Sequence, residues 1–334
     1  MNIRSILLLL CLVFSCDVFP ASKYAIPATD EGLPGAGPIR RYEWFQNLWD
    51  RKRSGWAKLV QQDQGALVFL GDSITQGWGD TMGGSFPGVK VANRGISGDT
   101  TRGVLIRLRE DVLSLNPSGV VLLIGTNDLE EKATPEVIAD NLKLIIAVLK
   151  KHSADMPIIL CNVMPSSAAK KRPADQIEKI NQLYFAAVKG DAQVTMLDTW
   201  LLFADDKGDA KKPEFPDLLH PNKTGYAKWA AALRPLLATH GFVETKPDTF
   251  HLEPGYVSLF NGHDLTGWGF RAKKTFKPTF TFDGKKASND ARYVAINGRL
   301  VVTTPPEGRR VQQLWTTREF PENFILRQIG RAHV

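Results

Sequence analysis

Cysteine is scarce in this chain. Of three in 334 residues, Cys11 and Cys16 sit in or beside the first apolar run, and only Cys161 belongs to the body. A single cysteine cannot close an internal disulfide, so the folded part must be held by a hydrophobic core. Cys161 lies in P-I-I-L-C-N-V-M, where a cysteine serves as a small buried hydrophobe rather than a nucleophile. Long apolar runs are missing too: the stretch from Ile6 to Phe14 falls short of the ~20 residues a permanent membrane helix requires. A dense basic tract is also absent. The formal charge is +7, but Lys and Arg alternate with Asp and Glu, outside short clusters such as Lys170-Lys171 and Lys273-Lys274. That pattern describes a solvated surface and argues against a nucleic-acid partner. No G-x-x-x-x-G-K stands near the most conspicuous glycine-rich turn, which excludes a P-loop there.

What is present is the composition of a soluble globular protein, 43% hydrophobic and 23% charged, long enough for one large domain or two ordinary ones. The N-terminus M-N-I-R-S-I-L-L-L-L-C-L-V-F-S-C places Arg4 before a short apolar core and then small residues. This is the pattern of an export signal over residues 1–21. Val13 and Ser15 suit cleavage before Cys16, and V-F-S-C loosely resembles a bacterial lipobox, although Phe14 fits that pattern poorly. Plain export and lipid anchoring at Cys16 both remain open, so the expected location is periplasmic or secreted, with membrane contact only through that anchor.

Residues 22–38, rich in Pro, Gly and Ala, read as a linker. Trp44, Phe45, Leu48, Trp49, Trp56, Leu59 and Val60 then recur near helical spacing. Short apolar runs at 66–70, 89–92, 119–124, 157–163 and 194–197 alternate with amphipathic stretches at 101–115, 134–151, 172–188 and 222–237. Strands buried on both faces and separated by helices imply a three-layer α/β/α parallel sheet over residues 39–241. After a linker at 242–254 the helical period disappears. Alternating runs such as Y-V-A-I-N-G-R-L-V-V, with Asn297-Gly298 as a hairpin turn, predict a β-rich segment over 255–328.

In parallel sheets, reactive groups gather beyond the carboxyl ends of the strands. Four polar clusters stand there: G-D-S-I-T after the first strand, N-R-G-I-S-G-D-T-T after the second, G-T-N-D after the third, and D-L-L-H-P-N before the last helix. A serine hydroxyl is a poor nucleophile until a base takes its proton. His220 is the obvious base for Ser73, and Asp217, three residues earlier, can curl back to orient its ring. The backbone N–H groups of Ser73 and Gly98 and the side-chain amide of Asn127 are candidate donors to an oxyanion. The parts of an acyl-transfer site are present.

These blocks resemble the SGNH hydrolases, also called GDSL esterases: G-D-S-I-T carries Ser73, I-S-G-D carries Gly98, G-T-N-D carries Asn127 and D-L-L-H carries Asp217 and His220. The likeness covers roughly Trp44 to Leu237. It is strongest to the branch of platelet-activating-factor acetylhydrolase subunits, given N-R-G-I-S-G-D-T-T-R-G-V-L-I-R-L and H-P-N-K-T-G-Y. The resemblance implies a flavodoxin-like fold, ester hydrolysis through an acyl-enzyme, and no cofactor or metal. The same blocks speak against an α/β-hydrolase, because Thr75 stands where the second glycine of G-x-S-x-G belongs.

Other residues have plainer readings. Asp72 has no His or Cys cluster with which to bind a metal and is expected to hold the nucleophile turn. Trp78 either lines the substrate pocket or packs in the core. Asp99 and Asp128 are expected to hydrogen-bond behind the site. His152, at a helix end, meets the helix dipole.

G-Y-V-S-L-F-N-G-H-D-L-T-G-W, from Gly255 to Trp268, resembles the opening of the bacterial 3-keto-disaccharide hydrolase domain, a concanavalin-like β-sandwich. Only the start of one fits in the residues available, which predicts a truncated sandwich with unpaired edges. The final I-G-R-A-H-V, residues 329–334, resembles a translated sequencing adapter, so His333 receives no functional weight. An esterase joined to a sugar-active type of domain behind an export signal points to removal of O-acetyl or similar short acyl groups from a carbohydrate. A lysophospholipase or thioesterase, and a noncatalytic glycan-binding protein, are the alternatives. The sequence leaves the oligomeric state open.

Overall fold

The computed structural model of the protein describes residues 22–189, 191, 193–243, 254–271, 278–288, 293–296, 298–302 and 313–326. The expected export signal, residues 244–253 of the second linker and residues 327–334 lie outside the described residues.

Five apolar segments form one parallel sheet: β1 (Leu67–Gly71), β2 (Val91–Gly95), β3 (Gly119–Leu123), β4 (Ile158–Cys161) and β5 (Val194–Leu197). The strand order is β2-β1-β3-β4-β5, the flavodoxin-like arrangement. Successive residues of β1 serve opposite faces. Val68 and Leu70 join the core beneath α3 (Thr101–Asp111), α5 (Pro135–His152) and α6 (Ala174–Val188). Leu67 and Phe69 join the core beneath α8 (Lys223–Thr239). Burial on both faces explains why these strands read as continuous apolar runs rather than alternating ones. The chain leaves β1 for β2 on one side and returns to β3 on the other, so the crevice beyond the carboxyl end of β1 is the topological switch point.

The helix predicted near Trp44 is α1 (Glu43–Ala57), which buries Phe45, Trp49, Arg53 and Trp56. Two members of the expected apolar face, Trp44 and Leu59, are instead exposed at 52% and 39%. The second strand also differs from expectation, running to Gly95 rather than ending at Ala92. Asn93 and Arg94 look like loop residues, yet both side chains are buried and paired: Asn93 Nδ2 donates to the Thr75 carbonyl, and Arg94 Nη2 donates to Asp63. The expected helix at 101–115 stops at Asp111, and a single 3-10 turn, Leu113–Leu115, follows. Three short helices gave no periodic signal: α2 (Ser73–Gly77), α4 (Thr126–Glu130) and α7 (Thr199–Phe203). Each holds 5 residues, barely more than one turn at ~3.6 residues per turn.

The stretch 22–38 lacks regular structure, as a linker should, but it is strapped to the body. The Tyr24 carbonyl accepts from the Trp49 indole, Ala36 exchanges two hydrogen bonds with the Asn141 side chain, and Asp30 pairs with Arg41 and Arg102. Beyond the α/β unit, β6 (Trp268–Arg271), β7 (Pro278–Thr281) and β10 (Leu314–Thr316) make a three-stranded antiparallel sheet. β8 (Tyr293–Ile296) and β9 (Arg299–Val302) make a hairpin whose turn includes Gly298 at φ 73°. Leu265, Phe270, Phe282 and Ala295 form its small core. The segment is β-rich as expected, and among the described residues its two small antiparallel sheets, which share that core, suggest a sandwich only in part. No helix among those residues is long and apolar enough to cross a membrane.

Candidate active site

Ser73 is the first residue of α2, directly after β1. Asp72 caps that helix: its Oδ1 accepts from the Ile74 N–H at 2.9 Å. Space for this turn depends on Gly71, where a Cβ would lie 2.3 Å from the Leu123 carbonyl oxygen and 2.3 Å from Thr75 Oγ1. Any side chain there would push β1 off β3. Asp72 is 1% exposed and its Oδ2 has no hydrogen-bond partner among the described residues. Burial pushes its carboxyl up to about 6, against the Ile74 N–H and the nearby cationic groups. It lies where the sequence reading expected it, holding the turn that carries Ser73.

The turn before α8 carries the candidate base His220 and the acid expected to orient it, Asp217. Asp217 Oδ1 accepts from the backbone N–H groups of Leu219 and His220 at 3.0 and 2.7 Å, while Oδ2 lies 2.8 Å from His220 Nδ1. One carboxylate thus fixes both the loop and the ring. Leu218 takes φ 62° to complete the turn, and its carbonyl is held by the Ser166 hydroxyl at 2.7 Å. Burial raises the Asp217 carboxyl, but the His220 and Leu219 donors outweigh it and bring it to about 2. An ionised carboxylate only accepts, so Nδ1 carries the ring proton and Nε2 presents a lone pair. That nitrogen lies 3.0 Å from Ser73 Oγ.

The opposite wall carries the donors. The backbone N–H groups of Ser73 and Gly98 have no protein acceptor among the described residues. Gly98 sits at φ 88°, and a Cβ there would lie 2.7 Å from the Trp44 ring, so only glycine brings this N–H to the rim. Asn127, on α4, donates from Nδ2 to the Asp99 carbonyl at 2.9 Å, and its Oδ1 accepts from Arg172 Nη2 at 2.9 Å. The guanidinium fixes which way the amide faces, leaving the second Nδ2 hydrogen for a ligand.

Behind this wall lie the two aspartates expected there. Asp99 is fully buried and accepts from Arg107 Nε at 2.7 Å; desolvation still pushes it up to about 6. Asp128 accepts from the Thr101 N–H and hydroxyl, and burial without a direct cationic partner pushes it up to about 7.

Ser73, Gly98, Asn127 and His220 line one open cavity of about 440 Å³. The expectation that four distant clusters share a rim therefore holds for those residues, with Asp217 behind His220. Trp78 does not join them. It is 5% exposed and stacks on Trp229 and Tyr226, with ring centroids 4.5 and 5.3 Å away; the helical turn of α2 directs it into the core, so its substrate-lining reading is corrected. Cys161 is buried, with its thiol pushed up to about 12 by desolvation. Sequence reasoning missed Trp44, Arg40, Glu130, Lys170, Lys171 and Arg172, which also line the cavity. The available signal was K-K-R at 170–172, a charged triplet next to an otherwise buried loop.

A hydroxyl, imidazole and carboxylate in line at the switch point of a parallel α/β sheet define a serine hydrolase class. Residues 69–228 match the GDSL-like Lipase/Acylhydrolase family, and the chain belongs to that family as a carboxylic ester hydrolase. Platelet-activating factor acetylhydrolase IB subunit alpha2 from Homo sapiens and from Bos taurus is 30% identical over 220 residues, which is 64% of this chain and 89% of each relative. An arylesterase of Vibrio mimicus is 31% identical over 112 residues, 30% of this chain and 56% of that one. A solved structure from Streptococcus pneumonia, described as a platelet activating factor, superposes with a TM-score of 0.54 at 24% identity, covering 58% of this chain and 94% of its own. The chain is therefore similar to it in fold.

Proposed function

We propose that the protein is an exported esterase that removes short acyl groups, acetyl above all, from carbohydrate by a Ser73-His220-Asp217 relay. The observation that carries the chemistry is the hydrogen-bond line from Asp217 through His220 to Ser73, opening into a cavity that also holds Gly98 and Asn127. Ser73 Oγ attacks the ester carbonyl carbon as its proton passes to His220 Nε2. The oxygen that gains the electron pair is met by the N–H groups of Ser73 and Gly98 and by the Asn127 amide. His220 then returns the proton to the departing alcohol oxygen, leaving an acyl-Ser73. Water, deprotonated by the same nitrogen, releases the acid and restores the hydroxyl. Asp217 holds the ring and stabilises its charged form throughout.

A short acyl group is supported by the cavity's lining. Trp44, Ala169 and Leu219 are its only apolar side chains among thirteen lining residues, whereas a long acyl chain needs a continuous apolar channel. The word acetylhydrolase in the names of the alpha2 relatives agrees. A sugar on the leaving side is supported by Trp44, half-exposed at the rim with the Tyr42 ring 9° from parallel to it, since an open aromatic face suits the apolar face of a sugar ring. The opening of the C-terminal β-rich segment, with its likeness to a sugar-active domain, points the same way. Export rests on Arg4 and the apolar core that follows it.

The test is an acyl panel with nitrophenyl acetate, butyrate, octanoate and palmitate, followed by acetylated xylan. We expect kcat/KM to fall with chain length and Ser73→Ala to lose about 10³-fold or more in kcat. Full activity in Ser73→Ala overturns the mechanism, and a preference for palmitate overturns the short-acyl reading.

A further inference from the structure

The cavity carries a strongly cationic group of residues. Arg40, Lys170, Lys171 and Arg172 line it, against the single carboxylate of Glu130. The two arginines are committed. Arg40 pairs with Glu130 and Glu131. Arg172 is 3% exposed and donates to the Thr126 carbonyl, the Lys170 carbonyl, Asn127 Oδ1 and Glu130. The two lysines have no acidic partner among the described residues. Their ammonium charges are the uncompensated part of the rim.

These lysines are also held in place. A 3-10 turn, Ala168–Lys170, ends in Lys171 at φ 60°, a left-handed conformation that costs a lysine energy and a glycine almost none. Three backbone bonds close the turn: Lys170 N and Arg172 N both donate to the Ser167 carbonyl, and Lys171 N donates to the Ala168 carbonyl. The Arg172 guanidinium then clamps the Lys170 carbonyl from beneath at 2.6 Å. A loop that accepts a strained lysine over a buried anchor holds the backbone of both lysines at the cavity rim, and such an outlier motivates a functional reading.

We propose that Lys170 and Lys171 select esters whose leaving group carries a negative charge, namely an acylated glycan bearing a carboxylate such as a uronic acid. This rests on the carbohydrate-esterase reading above. The Trp44 face takes a sugar ring and the lysine pair takes the carboxylate of that ring or its neighbour. An exposed ion pair is worth little at high salt and more when the partner is drawn into a concave rim. The preference should therefore be strongest at low ionic strength.

The experiment compares acetylated xylooligosaccharide with the same acetylated backbone carrying glucuronic acid, and with a short-chain acetylated phospholipid, at low and high salt. The reading is the ratio of kcat/KM for acidic over neutral glycan, in which losses of folded enzyme cancel. In the wild type that ratio should exceed one at low salt and fall as salt rises. Lys170→Ala with Lys171→Ala should cut it about fivefold, and Lys170→Glu with Lys171→Glu should bring it below one. A ratio of one in the wild type, or a ratio the lysine variants leave alone, overturns the charge selection while the carbohydrate reading stands. Hydrolysis of the phospholipid ahead of both glycans, or of neither glycan, overturns both.

Discussion

The two sides of the cavity are built differently. On one side stand His220 and Asp217, with side chains 43% and 45% exposed, on a turn that hydrogen-bonds across the site to Ser166 and Ser73. On the other stand Asn127, Asp99, Arg107 and Arg172, each 3% exposed or less and joined in a line by hydrogen bonds, with the buried Asp128 beside them held by Thr101. In the mechanism proposed above, the side that moves protons is open, and the side that meets the new negative charge is buried and tied. This division fits the demands of the reaction, because a donor that need not reorganise stabilises an oxyanion best, whereas the base must exchange protons with alcohol and water. The contrast makes a claim: catalysis and stability should separate on the His220 side and travel together on the Asn127 side.

Asp217→Asn gives the largest effect. The amide can no longer fix the proton on Nδ1, so Nε2 loses its lone pair for much of the time. We expect kcat to fall by about 10³-fold or more with Tm almost unchanged, measured by steady-state kinetics and calorimetry on the same preparation. A large drop in Tm would erase the contrast, because it would make the exposed turn part of the fold's support.

Arg172→Lys is the matching change on the rigid side. An ammonium group cannot reach the Thr126 carbonyl, the Lys170 carbonyl and Asn127 Oδ1 together. Released, the Asn127 amide can turn its oxygen toward the cavity. We expect kcat to fall about tenfold with KM little altered, by the usual cost of losing an outer partner of an active group, and Tm to fall as well. Binding of a boronate that mimics the tetrahedral oxyanion should weaken in step with kcat. Unchanged boronate affinity would show that Arg172 supports the fold without orienting Asn127.

The two sides also differed in how far the sequence revealed them. Ser73, Asp217 and His220 stood out because a carboxylate and a hydroxyl following L-V-F-L, and an Asp and His three apart before a helix, have few other uses. The parallel sheet was equally legible, since β1, β3 and β4 are buried on both faces and read as unbroken apolar runs. The rigid wall was legible only in part: Asn127, Asp99 and Asp128 were expected at the site, while Arg107 and Arg172 were not. Asn93 and Arg94 sit in a strand whose polarity disguised it, and Arg172 is 45 residues from the amide it orients, a contact that no local pattern encodes. Trp78 had two readings, pocket or core, and Trp44 was expected on the packed face of its helix. Packing sent the first into the core against Trp229 and left the second at the rim.

The smallest effect, and the one most specific to the rigid wall, is a dependence of stability on pH. Burial raises Asp128 to about 7 and Asp72 and Asp99 to about 6, against about 3.9 for an unfolded aspartate. Between those values the folded chain binds more protons than the unfolded one, so stability falls as pH rises. His240, lowered by burial, works in the opposite direction, so a single variant is needed to isolate the wall. Asp128→Asn cannot ionise. The wild type should therefore exceed it in Tm most at pH 5, and the gap should narrow towards pH 8, by about 2–4 °C for each kcal/mol involved. Asp217, brought down to about 2, is ionised in both states across that window. The small gap between wild type and Asp217→Asn should then stay flat across that window and shrink only as pH falls below about 4. A gap for Asp128→Asn that stayed constant from pH 5 to 8 would mean that water or relaxation screens the wall, leaving its rigidity to packing rather than to buried charge.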